Sequence, residues 1–218
     1  NLTCLGVCPM TDPIALPVKR LPKQTLHHVW APKLNRTVVL AGRDQLHLWV
    51  MLEAHPEISR YCERPTWPDE NEASPNPDFW ALRDGSAVWL ALGDVPQCDP
   101  NAAPLPVAMP CVQWVHADAL NQHRVWIQNW LSLLPYLGAT STPSFDSLVA
   151  KVVQAADPEN CFDDLERQFS ATDPLLVRTA VIAALHQGLL VSQDLQHQQW
   201  GRSTRVSKLP KGSPHATR

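Results

Sequence analysis

The sequence predicts an α/β chain: a mixed sheet flanked by helices, followed by a small domain of three helices and a hairpin. Three observations carry this. Asp84-Gly85-Ser86 separates two apolar runs, one opening at Pro77-Asp78-Phe79 and the other spanning Ala87–Leu92, which is a strong hairpin pattern. A helical run, Arg43 to Ala54, precedes it, with Leu46, Trp49, Val50 and Leu52 at helical spacing. In the last third, Asp157-Pro158, Asp173-Pro174 and Gly188 punctuate helices: Asp at the N-cap, Pro in the first turn, Gly past the end.

The elements run in order along the chain. Residues 1–26 are a proline-rich extended arm (Pro9, Pro13, Pro17, Pro22). His27 to Leu40 is extended. After the Arg43–Ala54 helix, which Pro56 stops, Ile58–Trp67 alternates as a strand and 68–77 is a polar, proline-rich loop. The hairpin comes next, then a second proline-rich loop over 95–110, a strand at Cys111–His116 and an apolar helix at Asn121–Leu137. This order differs from a doubly wound nucleotide-binding sheet, and no glycine-rich phosphate loop occurs. Gly138–Pro143 reads as a linker between domains at 27–140 and 144–208. Ser144 caps a helix to Ala156, Asp157 opens one to Phe169, and Asp173 opens one to Gln187. Leu189–Val191 and Thr204–Val206 close the chain as strands ahead of a basic tail, 209–218. Three helices and a hairpin form the winged-helix pattern. In its third helix Leu176, Val177, Ala180, Val181, Ala184 and Leu185 are the expected core, with Arg178 and His186 outside that stripe.

With 218 residues and 44% hydrophobic content the chain can pack one ordinary domain or two small ones. The net charge of −3 does not advertise a nucleic-acid binder, although a local basic patch can hide under such a total. Charge is uneven: Glu53 to Asp99 is acid-rich, whereas the stretch from Trp200 carries Arg202, Arg205, Lys208, Lys211 and Arg218 with no acid. That end reads as a solvated tail or as a phosphate contact. The six cysteines lack paired C-x-x-C knuckles, so reduced thiols are expected ahead of a zinc site at Cys4 and Cys8. The sequons at Asn1 and Asn35 read as chance matches. No apolar run approaches 18 residues.

Phosphodiester cleavage with metal ions needs clustered carboxylates, with a lysine beside them to stabilise charge developing on the phosphate. Asp78 is placed for such a role at the start of the hairpin. The second hairpin strand offers only Val88-Trp89-Leu90-Ala91-Leu92, and no lysine occurs between Lys33 and Lys151. Arg83 is the nearest cation in sequence, and a guanidinium cannot serve as a base. Asp78 also has a plain reading, since Pro-Asp begins turns. His116 and His123 read as structural, and the tryptophans from Trp30 to Trp130 as packing.

Val29–Asp94 resembles the catalytic domain of TnsA, the endonuclease partner in heteromeric transposases. The resemblance rests on Trp30–Val38 (against S-x-K-N-x-R), on Gln45–Pro65 with its Leu52–Ile58 and Tyr61–Pro65 pieces, and on Pro77-Asp78-Phe79 (against P-D-F). Asn129–Tyr136 is similar to a helix of the same family. The resemblance implies a restriction-endonuclease-like, PD-(D/E)xK mixed-sheet core followed by the winged helix. It also implies an active site of which only Asp78 is retained: the helix glutamate falls on Gln45, the second-strand acid on Leu90 and the lysine on Leu92. The implied protein is a degenerate pseudo-nuclease needing no cofactor, bacterial and nucleoid-associated in the cytoplasm. Its partners would be DNA or transposase subunits, such as an ATPase regulator or a DDE transposase, with no membrane contact. Arg178, Arg202, Arg205 and Lys208 would bind nucleic acid or the partner. The alternative is a Mg²⁺-dependent endonuclease with ligands relocated to Glu53, Glu63, Asp78 and Asp94, although Glu63 and Asp69–Glu72 read as a solvated edge or loop. A third reading is a two-domain structural protein with a fortuitous Pro-Asp hairpin.

Overall fold

A computed structural model describes residues 12–18, 24–66, 77–94, 111–138, 142–157 and 159–209. Within it the extended His27–Leu40 stretch is a hairpin: strands β1 (Leu26–Ala31) and β2 (Arg36–Ala41) pair across Pro32–Asn35. A proline breaks the extended run, and Asn35 takes the left-handed φ of +50° that asparagine tolerates. Helix α1 runs from Arg43 to Ala54, as its apolar spacing predicts, and buries Leu48, Trp49, Val50 and Leu52.

Strands β3 (Ile58–Glu63), β4 (Phe79–Arg83), β5 (Ser86–Leu92) and β6 (Val112–Val115) form one mixed sheet in that order. The first three run antiparallel, and β6 lies parallel to β5. Asp84 and Gly85 close the β4–β5 hairpin with φ of +47° and +77°, the double positive turn that matches strand twist. Register places Cys62, Trp80, Trp89 and Val112 opposite one another across all four strands. The first three are buried together, with Ala15 and Leu82 against them. β3 ends earlier than the Ile58–Trp67 alternation predicts, because Arg64 turns to φ +44°. The described part of the proline-rich arm is tied there: Ala15 bridges Pro65, and the N–H groups of Leu16 and Thr66 donate to Arg64 and Ile14 carbonyls.

The single helix expected over Asn121–Leu137 is three pieces: α2 (Ala117–Gln122), α3 (Arg124–Leu133) and a 3₁₀ turn at Leu134–Leu137, where Pro135 lacks the N–H an α-helix would use. Helix α4 spans Pro143–Ala155, and its N-cap is Thr142 rather than Ser144, with the Thr142 hydroxyl accepting from Phe145 N–H. Asp157 opens no helix. A short strand β7 (Asn160–Cys161) intervenes, and Cys161 caps α5 (Phe162–Gln168). Asp173 caps α6 (Pro174–His186) as expected. Strand β8 (Leu190–Val191), a one-turn helix α7 (Asp194–His197) and β9 (Arg205–Lys208) complete the described chain, and the three short strands align in the order β7-β9-β8. β7 and α7 are not legible in the sequence, being too short for any period. Leu176, expected in the core of α6, is 44% exposed, because the helix's first turn faces outward.

By contacts the chain gathers into two units. One comprises 1–29, 37–48 and 58–121, and the other 30–36, 49–57 and 122–218. Helix α3 and the 3₁₀ turn thus fall with the later elements, ahead of the Gly138–Pro143 segment.

Candidate functional site around Asp78

The first unit contains the four positions that the resemblance singles out, and hydrogen bonds bring them together. The Asp78 N–H donates to Leu90 O (2.8 Å), and the Asp78 carbonyl accepts from Arg64 N–H (2.7 Å), so its backbone is fixed between two neighbouring segments of the sheet. Its carboxylate is fixed as well. Oδ2 accepts from Leu92 N–H (2.7 Å) and Oδ1 from the Gln45 side-chain amide (3.1 Å). Gln45 has no freedom to turn its oxygen toward Asp78, because that oxygen accepts from Ala41 N–H at 2.6 Å at the entry to α1. The Gln45 side chain is buried.

Burial pushes the Asp78 carboxyl above its ordinary value, while the Leu92 N–H, the Gln45 amide and the Arg64 guanidinium pull the other way. Arg64 is the functional-site residue that sequence reasoning misses. Its guanidinium donates to Val39 O (2.6 Å) and Leu16 O (3.0 Å) and stands 3.9 Å from Glu63. Arg83, the nearest cation in sequence, is exposed at the far end of β4, paired in register with Ser86.

Opposite Asp78, β5 offers no chemistry on either face. Strand alternation gives Trp89 and Ala91 to one side and Leu90 and Leu92 to the other, so only the main chain of Leu92 reaches the carboxylate. Mg²⁺ demands an oxygen-rich, near-octahedral shell. Here the neighbouring Gln45 presents a donor to Asp78 and has its oxygen engaged, so these residues do not fit the ion. Among the described residues no group of three or more His, Cys, Asp or Glu is arranged to hold a metal. Of the four relocated ligands, Glu63, Asp78 and Asp94 share this unit. Glu63 is 3% exposed, contrary to the solvated position expected of it, because the Arg64 guanidinium lies beside it. Asp94 is exposed and pairs with His116 at 3.0 Å. Asp69–Glu72 fall outside the described residues.

Glu53 belongs to the second unit, in a buried cluster of its own. It is fully buried and accepts from Lys33 N–H (3.0 Å) and bonds His186 Nε2 (2.9 Å). The Lys33 ammonium caps the end of α1, donating to Leu52 O (2.9 Å) and His55 O (2.6 Å). Burial lowers the Lys33 pKa to about 8, against the opposing pull of Glu53.

The expected nucleic-acid or partner residues also lie in the second unit and divide into two kinds. Arg178 is committed internally: Nε and Nη2 both donate to Glu166 Oε1 (2.9 and 2.7 Å), and Tyr136 is a further side-chain partner. Lys208 stands 3.4 Å from Asp157. Arg202 and Arg205 are exposed, before and at the start of β9, where Asp194 accepts from Arg205 N–H at 2.8 Å. Asn129 orders the approach to β9, donating to Leu195 O and Gln198 O and accepting from Trp200 N–H. No helix among the described residues is long and apolar enough to cross a membrane. Compared with known proteins, the chain matches no protein-family model and no curated protein.

Proposed function

We propose that the chain is a catalytically degenerate TnsA-like protein serving as a DNA- or partner-binding component of a transposition or DNA-integration complex. The observation that carries this reading is the Gln45–Asp78 hydrogen bond. Gln45 stands where the resemblance places a glutamate, and it meets Asp78 with an N–H instead of a second carboxylate. Such a pair is neutral-to-anionic and self-satisfied, whereas a metal site needs two oxygen ligands facing one ion. The fold lends support at a coarser level. The described chain is mixed α/β, with a four-stranded sheet in the order β3-β4-β5-β6 whose first three strands are antiparallel and whose last is parallel, a frame that the reading requires without being specific to it. Helices α4, α5 and α6 are accompanied by short strands ordered β7-β9-β8, and the reading takes these as the winged helix.

The test is calorimetric titration of Mg²⁺ and Mn²⁺ into wild type and Asp78→Ala, with cleavage of linear, nicked and branched DNA measured beside it. The proposal expects no saturable binding in either protein and no cut. Saturable binding in wild type that disappears in the variant, together with cleavage, establishes the endonuclease alternative instead.

A further inference from the structure

We propose that a groove between α4 and α6 receives an amphipathic helix of a protein partner, with an acidic residue on that helix set against Lys151. The inference rests on the partner-binding half of the reading above and names where that contact is made. The groove is shallow and open to solvent, holds about 460 Å³, and is lined by Thr142, Ser144, Phe145, Leu148, Lys151, Thr172 and Leu176. Phe145, Leu148 and Lys151 succeed one another at three-residue steps, so they share one face of α4. The first turn of α6 adds Leu176, 44% exposed, although the rest of that helix is buried almost throughout. An apolar strip at helical spacing on one wall, met by a leucine from the other, is the shape that takes anchors from one face of a helix.

Charge selects the occupant. Among the described residues Lys151 is the one charged side chain lining the groove, and it makes no ion pair with an acid there. An apolar floor ending in a lone cation is complemented by leucine-type anchors followed by a carboxylate. A phosphate backbone needs several cations along its track. This face supplies one, and the arginine of α6 that would add another, Arg178, is held by Glu166. The Thr142 and Ser144 hydroxyls are bonded to each other at 3.0 Å, so that rim is already satisfied.

Two labelled synthetic helices test this. One carries Leu at the anchor positions and Glu along the edge, and its twin carries Lys in place of Glu. Fluorescence anisotropy is read on the full chain, on Lys151→Glu and on Leu176→Asn, both exposed positions whose folding is verified by circular dichroism. The expected result is binding of the Glu peptide, weakened about fivefold or more by either substitution, with Lys151→Glu reversing the preference between the twins. Equal affinity for both twins, or indifference to both substitutions, overturns the inference. A duplex DNA probe run in parallel separates the two levels. DNA binding that depends on Arg202 and Arg205 while neither peptide binds removes the groove but leaves the proposed function standing. Displacement of the Glu peptide by duplex DNA makes this face a nucleic-acid surface and also overturns the groove.

Discussion

Replacing Asp78 by Ala leaves the Gln45 amide and the Leu92 N–H without their acceptor. Stranding shielded donors costs about 1–3 kcal/mol each, so urea unfolding of Asp78→Ala is expected to show a loss of about 2–4 kcal/mol, whatever the variant does to function. The pH dependence has a definite sign. The folded-state pKa of Asp78 is raised, so its contribution to stability is complete below the ordinary carboxylate value and is lost as pH rises through the folded value. Relative to Asp78→Asn, wild type should therefore lose stability on going from acid to neutral pH. Lys33 has the opposite shift, from 10.5 to about 8, so its contribution is present above 10.5 and lost as pH falls through 8. Between those limits wild type should gain on the order of 3 kcal/mol relative to Lys33→Met, read by unfolding at alkaline pH. The sequence places Asp78, because Pro-Asp before an Asp-Gly hairpin is a local pattern. It hides Arg64 and the Glu53–His186 pair, because residues joined through space leave no mark in spacing.

Elements with their own punctuation are the legible ones. The β4–β5 hairpin and helices α1 and α6 each carry a turn, a cap or an apolar period that suffices locally. The Asn121–Leu137 stretch reads as one helix because apolar periodicity continues through Pro135, and only backbone hydrogen bonding separates the pieces. Asp157, followed in sequence by a proline, has the letter of a helix start but not the role, which falls to Cys161. Two glycines give a clean contrast at this scale. Gly85 has φ +77° with nothing within 4 Å of an added Cβ, so Gly85→Ala should cost about 1 kcal/mol, the backbone penalty alone. Gly188 has φ +71°, and a Cβ there would meet Pro56 Cβ at 2.7 Å. Gly188→Ala adds steric overlap to that penalty and should cost about 2–4 kcal/mol. Thermal melts of the two variants side by side check the ranking, and equal losses would show that Pro56 yields freely.

For the molecule as a whole, the proposed roles predict a division among the arginines. Arg178→Ala should lower stability, since it leaves the largely buried Glu166 carboxylate without its partner. It should not change the salt dependence of any duplex binding. If such binding occurs, Arg202→Ala and Arg205→Ala should each flatten the slope of log affinity against log salt, by about one for each phosphate no longer neutralised. An α/β class with a mixed sheet is legible from the order of periods, but the grouping of segments is not. Residues 30–36 and 49–57 join the later unit, taking Lys33 and Glu53 to His186. A gene fragment beginning at Gln122 would therefore encode His186 without the carboxylate it bonds. The later unit is thus not a contiguous stretch of the gene, and a cut anywhere between residues 57 and 122 parts it from the two short segments that supply Lys33 and Glu53.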